Sequence, residues 1–274
     1  GLFFRGDFMR LRVEHETPYC YAAPVAYGLQ QTRLRPKDVR GQKVLDWEVT
    51  IEGGEIELHY EDHNRNMVDL IGIEPGRTET AIRCVGLVEN TASDGVVGEH
   101  QGFLPLWHFK RSSPLTKAGE GVRKLASAFE DADKTSVGLG HDLSAAILDT
   151  VGYEGGNTHS GTTAEEALQG GHGVCQDHAH IFCSAARLLG LPARYVSGYL
   201  MMNDRVEQDA SHAWAEAFFE GLGWVGFDIS NGYSPDERYI RVATGIDFRE
   251  AAPINGMRMG GSDEGVLVTL KVEQ

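Results

Sequence analysis

The feature that most constrains the fold is a change of hydrophobic period about one third of the way along the chain. From Met9 to about Asn90, short segments alternate apolar and polar residues, as at 44–51 and 78–85. This alternation is typical of antiparallel strands with one buried face. From Leu115 onward, apolar residues recur every three or four positions, which is the helical period. The sequence therefore predicts a β-rich front followed by a mixed α and β remainder.

The boundary between these parts is predicted near residue 95. The pattern between residues 91 and 114 is irregular, and Ser93-Asp94-Gly95 predicts a loop. We predict an α+β protein with an N-terminal antiparallel β domain over residues 9–95 and a second domain over residues 96–274. A last strand is predicted at the C-terminal end from apolar residues that alternate with other positions, namely Val266, Val268, Leu270 and Val272.

The second domain begins with helical patterns at 115–129 and 143–151, and a capping box near Thr163 opens a short helix that ends at Gly170-Gly171. A longer helix is predicted at 175–189, with Cys175 in its first turn. Strands are then predicted over residues 193–201, 212–219 and 224–228. The order is thus a helix followed by an antiparallel sheet.

Cys175 is the candidate nucleophile of the second domain. A thiol attacks a carbonyl carbon as the thiolate, so its pKa must fall from about 8.5 for that form to be populated near neutral pH. Unpaired N–H groups and the macrodipole at a helix N-terminus stabilise an anion there. The same N–H groups can stabilise an oxyanion. Gly173 leaves the approach to this thiol uncrowded.

His212 and Asp228 are the candidate base and its orienting group. They lie sixteen residues apart, an even number, so in an antiparallel pair they face the same side if the turn is centred near Glu220. A turn centred on Leu222 would instead place Glu216 opposite Asp228. Trp214 shares the face of His212 and would shield the ion pair from water.

Two other interpretations of these residues stay open at this stage. Taken singly, a cysteine at a helix start is commonly a small buried apolar residue, and the histidine and aspartate fit core and turn roles. A metal site is the chemical rival, because His172, Cys175, His178, His180 and Cys183 fall within twelve residues. Helical spacing brings His178 near Cys175 but turns His180 and Cys183 away.

Composition excludes several classes of partner. The formal net charge is −15 and the isoelectric point is near 5.1, which disfavours binding to nucleic acid or to an anionic membrane surface. Four scattered cysteines do not make a disulfide framework, and the first eight residues lack the features of a secretory signal. We therefore expect a cytoplasmic protein with reduced thiols. Phosphate-loop and dinucleotide fingerprints are absent, so we expect no cofactor, and the poor convergence of the His and Cys cluster leads us to expect no metal.

Four segments in a fixed order carry a family resemblance. They are 173–180 around Cys175, 191–199 after the predicted helix, 211–216 around His212 and 223–228 ending at Asp228. Together they resemble bacterial transglutaminase-like proteins, which are often labelled cysteine proteases. The front half resembles the β-rich domain that precedes the core in this group, through His15-x-Thr17-x-Tyr19-x-Tyr21, Leu34-Arg35-Pro36 and Trp47. The resemblance covers nearly the whole chain from Met9.

The sequence departs from the family pattern at three places. His178 stands where an aromatic residue is expected, and Ile229-Ser230-Asn231 stands where Pro-Thr-Asn is more common. The stretch 245–248 has Ile246 where the family usually has an arginine. Because the first two do not touch the predicted triad, we expect them to affect local packing or substrate shape.

The resemblance implies a papain-like core in which Cys175 attacks an amide carbonyl, His212 protonates the leaving amine and Asp228 orients His212. Water or another amine then resolves the thioester. We prefer hydrolysis of a peptide or protein substrate, with transglutaminase-type acyl transfer to an amine as the alternative. No calcium-loop pattern is present, which disfavours a metal-activated crosslinking enzyme. A non-catalytic binding or assembly module is the interpretation from a different class.

Overall fold

The computed structural model describes residues 8–203, 207–208, 211–260, 264–266 and 268–274. The strands in chain order are β1 (Phe8–Tyr21), β2 (Val25–Arg35), β3 (Gln42–Glu52), β4 (Gly54–Glu61), β5 (Met67–Ile73), β6 (Glu79–Thr91), β7 (Val96–Gly98), β8 (Gly152–Tyr153), β9 (His172–Gly173), β10 (Ala193–Leu200), β11 (Glu207–Gln208), β12 (His212–Phe219), β13 (Gly223–Phe227), β14 (Tyr239–Gly245), β15 (Ile254–Gly260), β16 (Glu264–Val266) and β17 (Thr269–Glu273). The helices are α1 (Glu120–Ser127), α2 (Val137–Thr150), α3 (Ala164–Gly170), α4 (Cys175–Leu188) and α5 (Phe248–Ala251), with a 3₁₀ turn at Leu106–Lys110.

The N-terminal half forms two antiparallel sheets, in agreement with the predicted β-rich front. One sheet has the order β11-β17-β1-β6-β3, with β16 also paired to β1, and the other has the order β15-β2-β5-β4. In β1 every second residue from Leu11 to Tyr21 is buried, because successive side chains of a strand point to opposite faces. The alternation of apolar and polar residues in the sequence therefore predicts which face of the strand is buried in the core.

The last strands of the chain return to these N-terminal sheets. β15 pairs with β2, and β17 pairs with β1 through contacts such as His15 with Leu270. Leu270 and Val272 are fully buried there, which removes apolar area from water and satisfies one edge of β1. The division into 9–95 and 96–274 stays a prediction, but it did not anticipate that β15, β16 and β17 complete the front sheets.

The core sheet has the order β14-β10-β12-β13-β7, and α4 packs on one of its faces. The sequence predicted one apolar stripe on this helix, whereas every residue from Asp177 to Arg187 is buried. Helices α1, α2 and α3 also contact α4 and cover its remaining faces. A helix covered on all sides must satisfy its polar groups internally, so Ser184 donates to the Thr116 carbonyl at 2.8 Å.

The other predicted helices agree with the structure at α3 and differ at α2. Thr163 and Glu166 form the capping box of α3, and Gly171 ends it in the left-handed conformation. Helix α2 begins at Val137, six residues before the predicted start, with Ser136 as N-cap. Its first turn contains two glycines, which lower helix propensity. One of them, Gly140, packs against the Phe227 ring, where a Cβ would clash.

The hairpin β12–β13 fixes the register on which the site depends. Phe219 pairs with Gly223 and Ala215 with Phe227, so the turn is centred on Gly221, which has a φ of 82°. The centre thus lies one residue beyond Glu220, in the register that the sequence left open, and the alternative centre at Leu222 is not observed. The register still places positions 212 and 228 on the same face as diagonal neighbours.

Three side-chain amides join the front half to β14. Gln42 accepts from the N–H of Arg241 and donates to its carbonyl, and Asn66 does the same with Thr244. Asn90 donates to the carbonyls of Glu237 and Tyr239. These bonds replace the ladder partners that an edge strand lacks. Within the described ranges, no helix is long and apolar enough to cross a membrane.

Candidate active site

Cys175 is the first residue of α4, as predicted, and its side chain is partly exposed. Asp177 caps this end of the helix: its carboxylate accepts from the Val174 N–H at 2.8 Å and from the Thr158 hydroxyl at 2.7 Å. Gly173 is required beside it, since a Cβ there would lie 2.8 Å from the Asp177 Cβ. These hydrogen bonds hold the backbone just before Cys175 in place.

The other cysteines have different environments. Cys84 and Cys183 are fully buried, and burial raises the pKa of each thiol to about 11. Cys20 is exposed on β1. Cys175 is therefore the one cysteine that is both accessible and placed at a helix N-terminus.

His212 and Asp228 lie together, as the parity argument predicted. The His212 Nε2 donates to the Asp228 Oδ2 at 2.6 Å, and both side chains are almost completely buried. Burial alone would lower the pKa of His212, but the hydrogen bonds and negative charges of Asp228 and Cys175 outweigh it and raise the pKa to about 10. With Nε2 bound to Asp228, Nδ1 is the ring nitrogen left for the Cys175 sulfur.

The Asp228 carboxylate accepts three further hydrogen bonds, one of them from the Asn231 backbone N–H to Oδ1 at 3.3 Å. The Tyr239 hydroxyl donates to its Oδ2 at 2.7 Å and the Asn231 amide donates to the same oxygen at 2.6 Å. Burial would raise the pKa of Asp228, but these donors and His212 lower it. We expected the segment 229–231 not to touch the predicted triad. This is wrong for Asn231, which donates to Asp228. At this position the chain has the residue that is common in the family.

Tyr239 is the site residue that sequence reasoning missed. It begins β14, whose residues Tyr239 to Thr244 are rich in β-branched and aromatic side chains, a pattern that favours a strand. That pattern signals a strand but not its neighbour, because β14 reaches the site by pairing with β10, some forty residues earlier in the chain.

Aromatic rings enclose the imidazole of His212. Trp214, only 2% exposed, stacks on it with ring centroids 6.2 Å apart, and Tyr239 packs at 6.0 Å. The predicted position of Trp214 is thus observed. Apolar rings exclude water from the His212–Asp228 pair and strengthen its electrostatic attraction.

Two departures from the family pattern meet in a single contact. The His178 Nδ1 lies 2.8 Å from the Ser230 hydroxyl, and its Nε2 lies 2.9 Å from the Val151 carbonyl. Because a carbonyl only accepts, Nε2 carries the proton and Ser230 donates to Nδ1. His178 thereby joins α4 to the end of α2 and to the segment after Asp228.

The residues of the rival metal interpretation do not converge. Both ring nitrogens of His178 are used as described above, and the His180 Nε2 accepts from the Phe248 N–H. Among the described residues, no group of three His, Cys, Asp or Glu side chains is arranged to hold a metal ion.

Glu216, which the rejected register would have placed opposite Asp228, has a different role. Its carboxylate is completely buried between Arg194 and Arg241, at 2.6 and 2.7 Å. It therefore forms ion pairs with two guanidinium groups and does not contact the imidazole.

Comparisons with known proteins relate two regions of the chain to described families. Residues 123–229 match the model of the transglutaminase-like superfamily, and residues 11–89 match that of the bacterial transglutaminase-like N-terminal region. An uncharacterized protein of Mycobacterium leprae is 26% identical over 267 residues, covering 92% of this chain and 94% of the relative. Another from Mycobacterium bovis is 28% identical over 287 aligned positions, covering 94% and 90%.

A solved structure has the same fold. It is described as a putative cysteine protease from Cytophaga hutchinsonii, with a TM-score of 0.74, 20% identity and coverage of 99% of this chain and 100% of that one. At this identity the likeness concerns the fold alone.

Proposed function

Because the chain belongs to the transglutaminase-like superfamily, we propose that it is a cysteine-dependent hydrolase of peptide or amide bonds, with Cys175 as nucleophile, His212 as base and acid, and Asp228 as the orienting residue. The observation that carries the proposal is the 2.6 Å bond between the His212 Nε2 and a completely buried Asp228, which leaves Nδ1 for the thiol. An imidazole held in this way is poised to take a proton from the thiol.

The reaction proceeds through a thioester. The Cys175 thiolate attacks the amide carbonyl carbon, and its electron pair displaces the carbonyl π pair onto oxygen. When the oxyanion collapses, the carbon–nitrogen bond breaks and the imidazolium of His212 protonates the leaving amine. Water then attacks the thioester, His212 accepts its proton, and the free acid and thiol are released.

The start of α4 supplies stabilisation for the oxyanion. The N–H groups of Cys175 and Gln176 lie in the first turn, where a helix has no internal acceptor for them. Removal of one oxyanion donor typically costs about 100- to 1,000-fold in rate. Asp228 stabilises the imidazolium that exists while the thiolate is free, and Trp214 keeps water from that ion pair.

The first test is alkylation of the native protein by iodoacetamide from pH 5 to 9, followed cysteine by cysteine by peptide mass spectrometry. The other three thiols provide internal controls: exposed Cys20 is the accessible reference, and buried Cys84 and Cys183 should label slowly. Cys175 should label rapidly down to about pH 6, and His212→Ala should abolish that plateau. A Cys175 profile that matches Cys20 and ignores the His212 substitution would leave only a binding module.

The second test separates hydrolysis from acyl transfer. A peptide library is incubated with the protein and a labelled primary amine, and new carboxyl ends and incorporated amine are both measured by mass spectrometry. Cleavage without amine incorporation supports hydrolysis, and incorporation in excess of cleavage supports acyl transfer to an amine.

The cytoplasmic location belongs to this proposal too and rests on the four unpaired cysteines.

A further inference from the structure

A cavity of about 380 Å³ lies between the front half and the core sheet, on the sheet face opposite α4. Its volume is within the range of about 300–1,000 Å³ that is usual for small-molecule sites. The walls come from the segment after β2, the turn before β5, the chain around β7, and strands β10 and β14. Hydrogen bonds from the side-chain amides of Asn66 and Gln42 to the backbone of β14 hold these walls together, so the cavity is preformed.

The lining is rich in positive charge, although the whole chain carries −15. Five cationic side chains face the cavity, namely Lys37, Arg40, Arg65, Arg194 and Arg241. The acidic residues that line it are Asp38 and Glu99. Arg65 pairs with Glu61 at 3.3 Å, outside this lining.

The two deepest cations are fixed in place. Arg194 and Arg241 share the single carboxylate of Glu216, so this buried cluster carries one uncompensated positive charge. The Arg194 guanidinium stacks on the Trp224 ring, with its Cζ 3.9 Å from the ring centroid. In both arginines Nε bonds to Glu216, and a guanidinium has further N–H donors for an oxyanion.

Lys37 lies beside these arginines. Its side chain is partly buried, and burial together with the charges of Arg241 and Arg65 lowers the pKa of Lys37 to about 8, because these effects outweigh the more weakly opposing carboxylates of Glu61 and Asp62. Within the described ranges, no ion pair or hydrogen bond of its Nζ is found. Holding an ammonium beside a guanidinium is unfavourable in the empty cavity and becomes favourable when an anion lies between them.

We propose that this cavity binds a small oxyanion with two or more negative charges, held between Lys37, Arg194 and Arg241. Charge-assisted N–H bonds to phosphate or carboxylate oxygens are the strongest that these groups make, and a guanidinium fork matches either oxyanion. The shared chemistry is therefore a phosphate or polycarboxylate group on a molecule small enough for the cavity. The proposal does not depend on the chemistry at Cys175.

The test is isothermal titration of the full chain with pyrophosphate and, separately, with citrate, each in sodium chloride at constant ionic strength. We expect saturable binding of one equivalent of at least one of them, and the better ligand identifies the phosphate or carboxylate class. Lys37→Met should weaken binding about tenfold or more, since it removes a charge-assisted hydrogen bond to the anion. Lys43→Met, on the exposed side of β3, is the matched control and should bind within twofold of the native chain.

The Lys37 variant should fold, because it removes a partly buried cation that faces another cation. Its melting temperature without ligand should equal or exceed that of the native chain. Arg40→Gln at the exposed rim is a second variant and should weaken binding less than Lys37→Met does. The proposal is overturned if neither anion binds saturably, if Lys37→Met binds as well as the native chain, or if Lys43→Met loses as much affinity.

Discussion

Two buried carboxylates on one hairpin show how environment divides chemistry from structure. Asp228 and Glu216 have completely buried side chains, and both lie on the face of the core sheet that also carries His212. Asp228 faces an imidazole, two neutral donors and an accessible thiol nearby, whereas Glu216 faces two guanidinium groups that stay charged. Asp228 therefore holds an imidazole, a group that can gain and lose a proton, whereas the partners of Glu216 cannot.

The largest effect in this comparison should come from Asp228→Asn. An amide retains the shape but does not stabilise the imidazolium, so the thiolate form of Cys175 loses its partner. We expect peptide or amide hydrolysis to fall by about 10³–10⁴-fold, as when an orienting aspartate is replaced in a triad. Cys175 alkylation at pH 6 should slow by at least about tenfold.

Asp142→Asn, at an exposed position of α2, is the control and should leave both rates unchanged. Full activity in Asp228→Asn would remove Asp228 from the mechanism.

Glu216→Gln should act on stability instead of rate. It leaves Arg194 and Arg241 buried beside a neutral amide, and breaking a buried ion pair on one side typically costs about 3–5 kcal/mol. Urea unfolding should show this loss in the free energy of unfolding. At a temperature where the variant is folded, its Cys175 alkylation rate should stay within about threefold of native. A variant as stable as the native chain would show that the cluster contributes nothing net.

The stability that Glu216 contributes and the stability that His212 contributes should also respond oppositely to pH. The flanking arginines lower the pKa of Glu216 to about 2 despite its burial, so its stabilisation is present above about pH 4.5 and is lost as pH falls toward 2. The pKa of His212 is raised to about 10, so its stabilisation is present below about pH 6.5 and is lost as pH rises toward 10.

Urea unfolding measured across pH checks this comparison. Glu216→Gln should flatten the acid limb of the stability profile, and His212→Ala should flatten the alkaline limb. If each substitution lowers both limbs of the profile equally, Glu216 and His212 do not act independently on stability.

The smallest effect should come from the contact between α4 and the segment after Asp228. Ser230→Ala removes the donor to the His178 Nδ1 and should cost about 1 kcal/mol, whereas His178→Phe also leaves the buried Val151 carbonyl unpaired and should cost about 1–3 kcal/mol. Because the contact positions Cys175 relative to Asp228, alkylation should slow a few-fold in both variants. A double variant whose losses simply add would show that the two residues are not coupled.

The candidate site was largely predictable because each of its main residues belongs to a local pattern. The placement of Cys175 follows from a helix start, and those of His212 and Asp228 follow from strands with a short turn between them. Parity is robust here, since a shift of the turn centre from Glu220 to Gly221 moves the pairing by two residues and keeps the same face.

Period, capping and turn chemistry are properties of neighbouring residues, so the sequence by itself determined the β-rich front, the helix of Cys175 and the hairpin of His212. The tertiary structure alone decided that Tyr239 donates to Asp228, that Glu216 pairs with two arginines and that β17 returns to β1. Each of these depends on which strands pair in the sheets, namely β10 with β14, β10 with β12, and β1 with β17. Such contacts depend on how whole sheets and helices bury their faces together, which no local pattern contains.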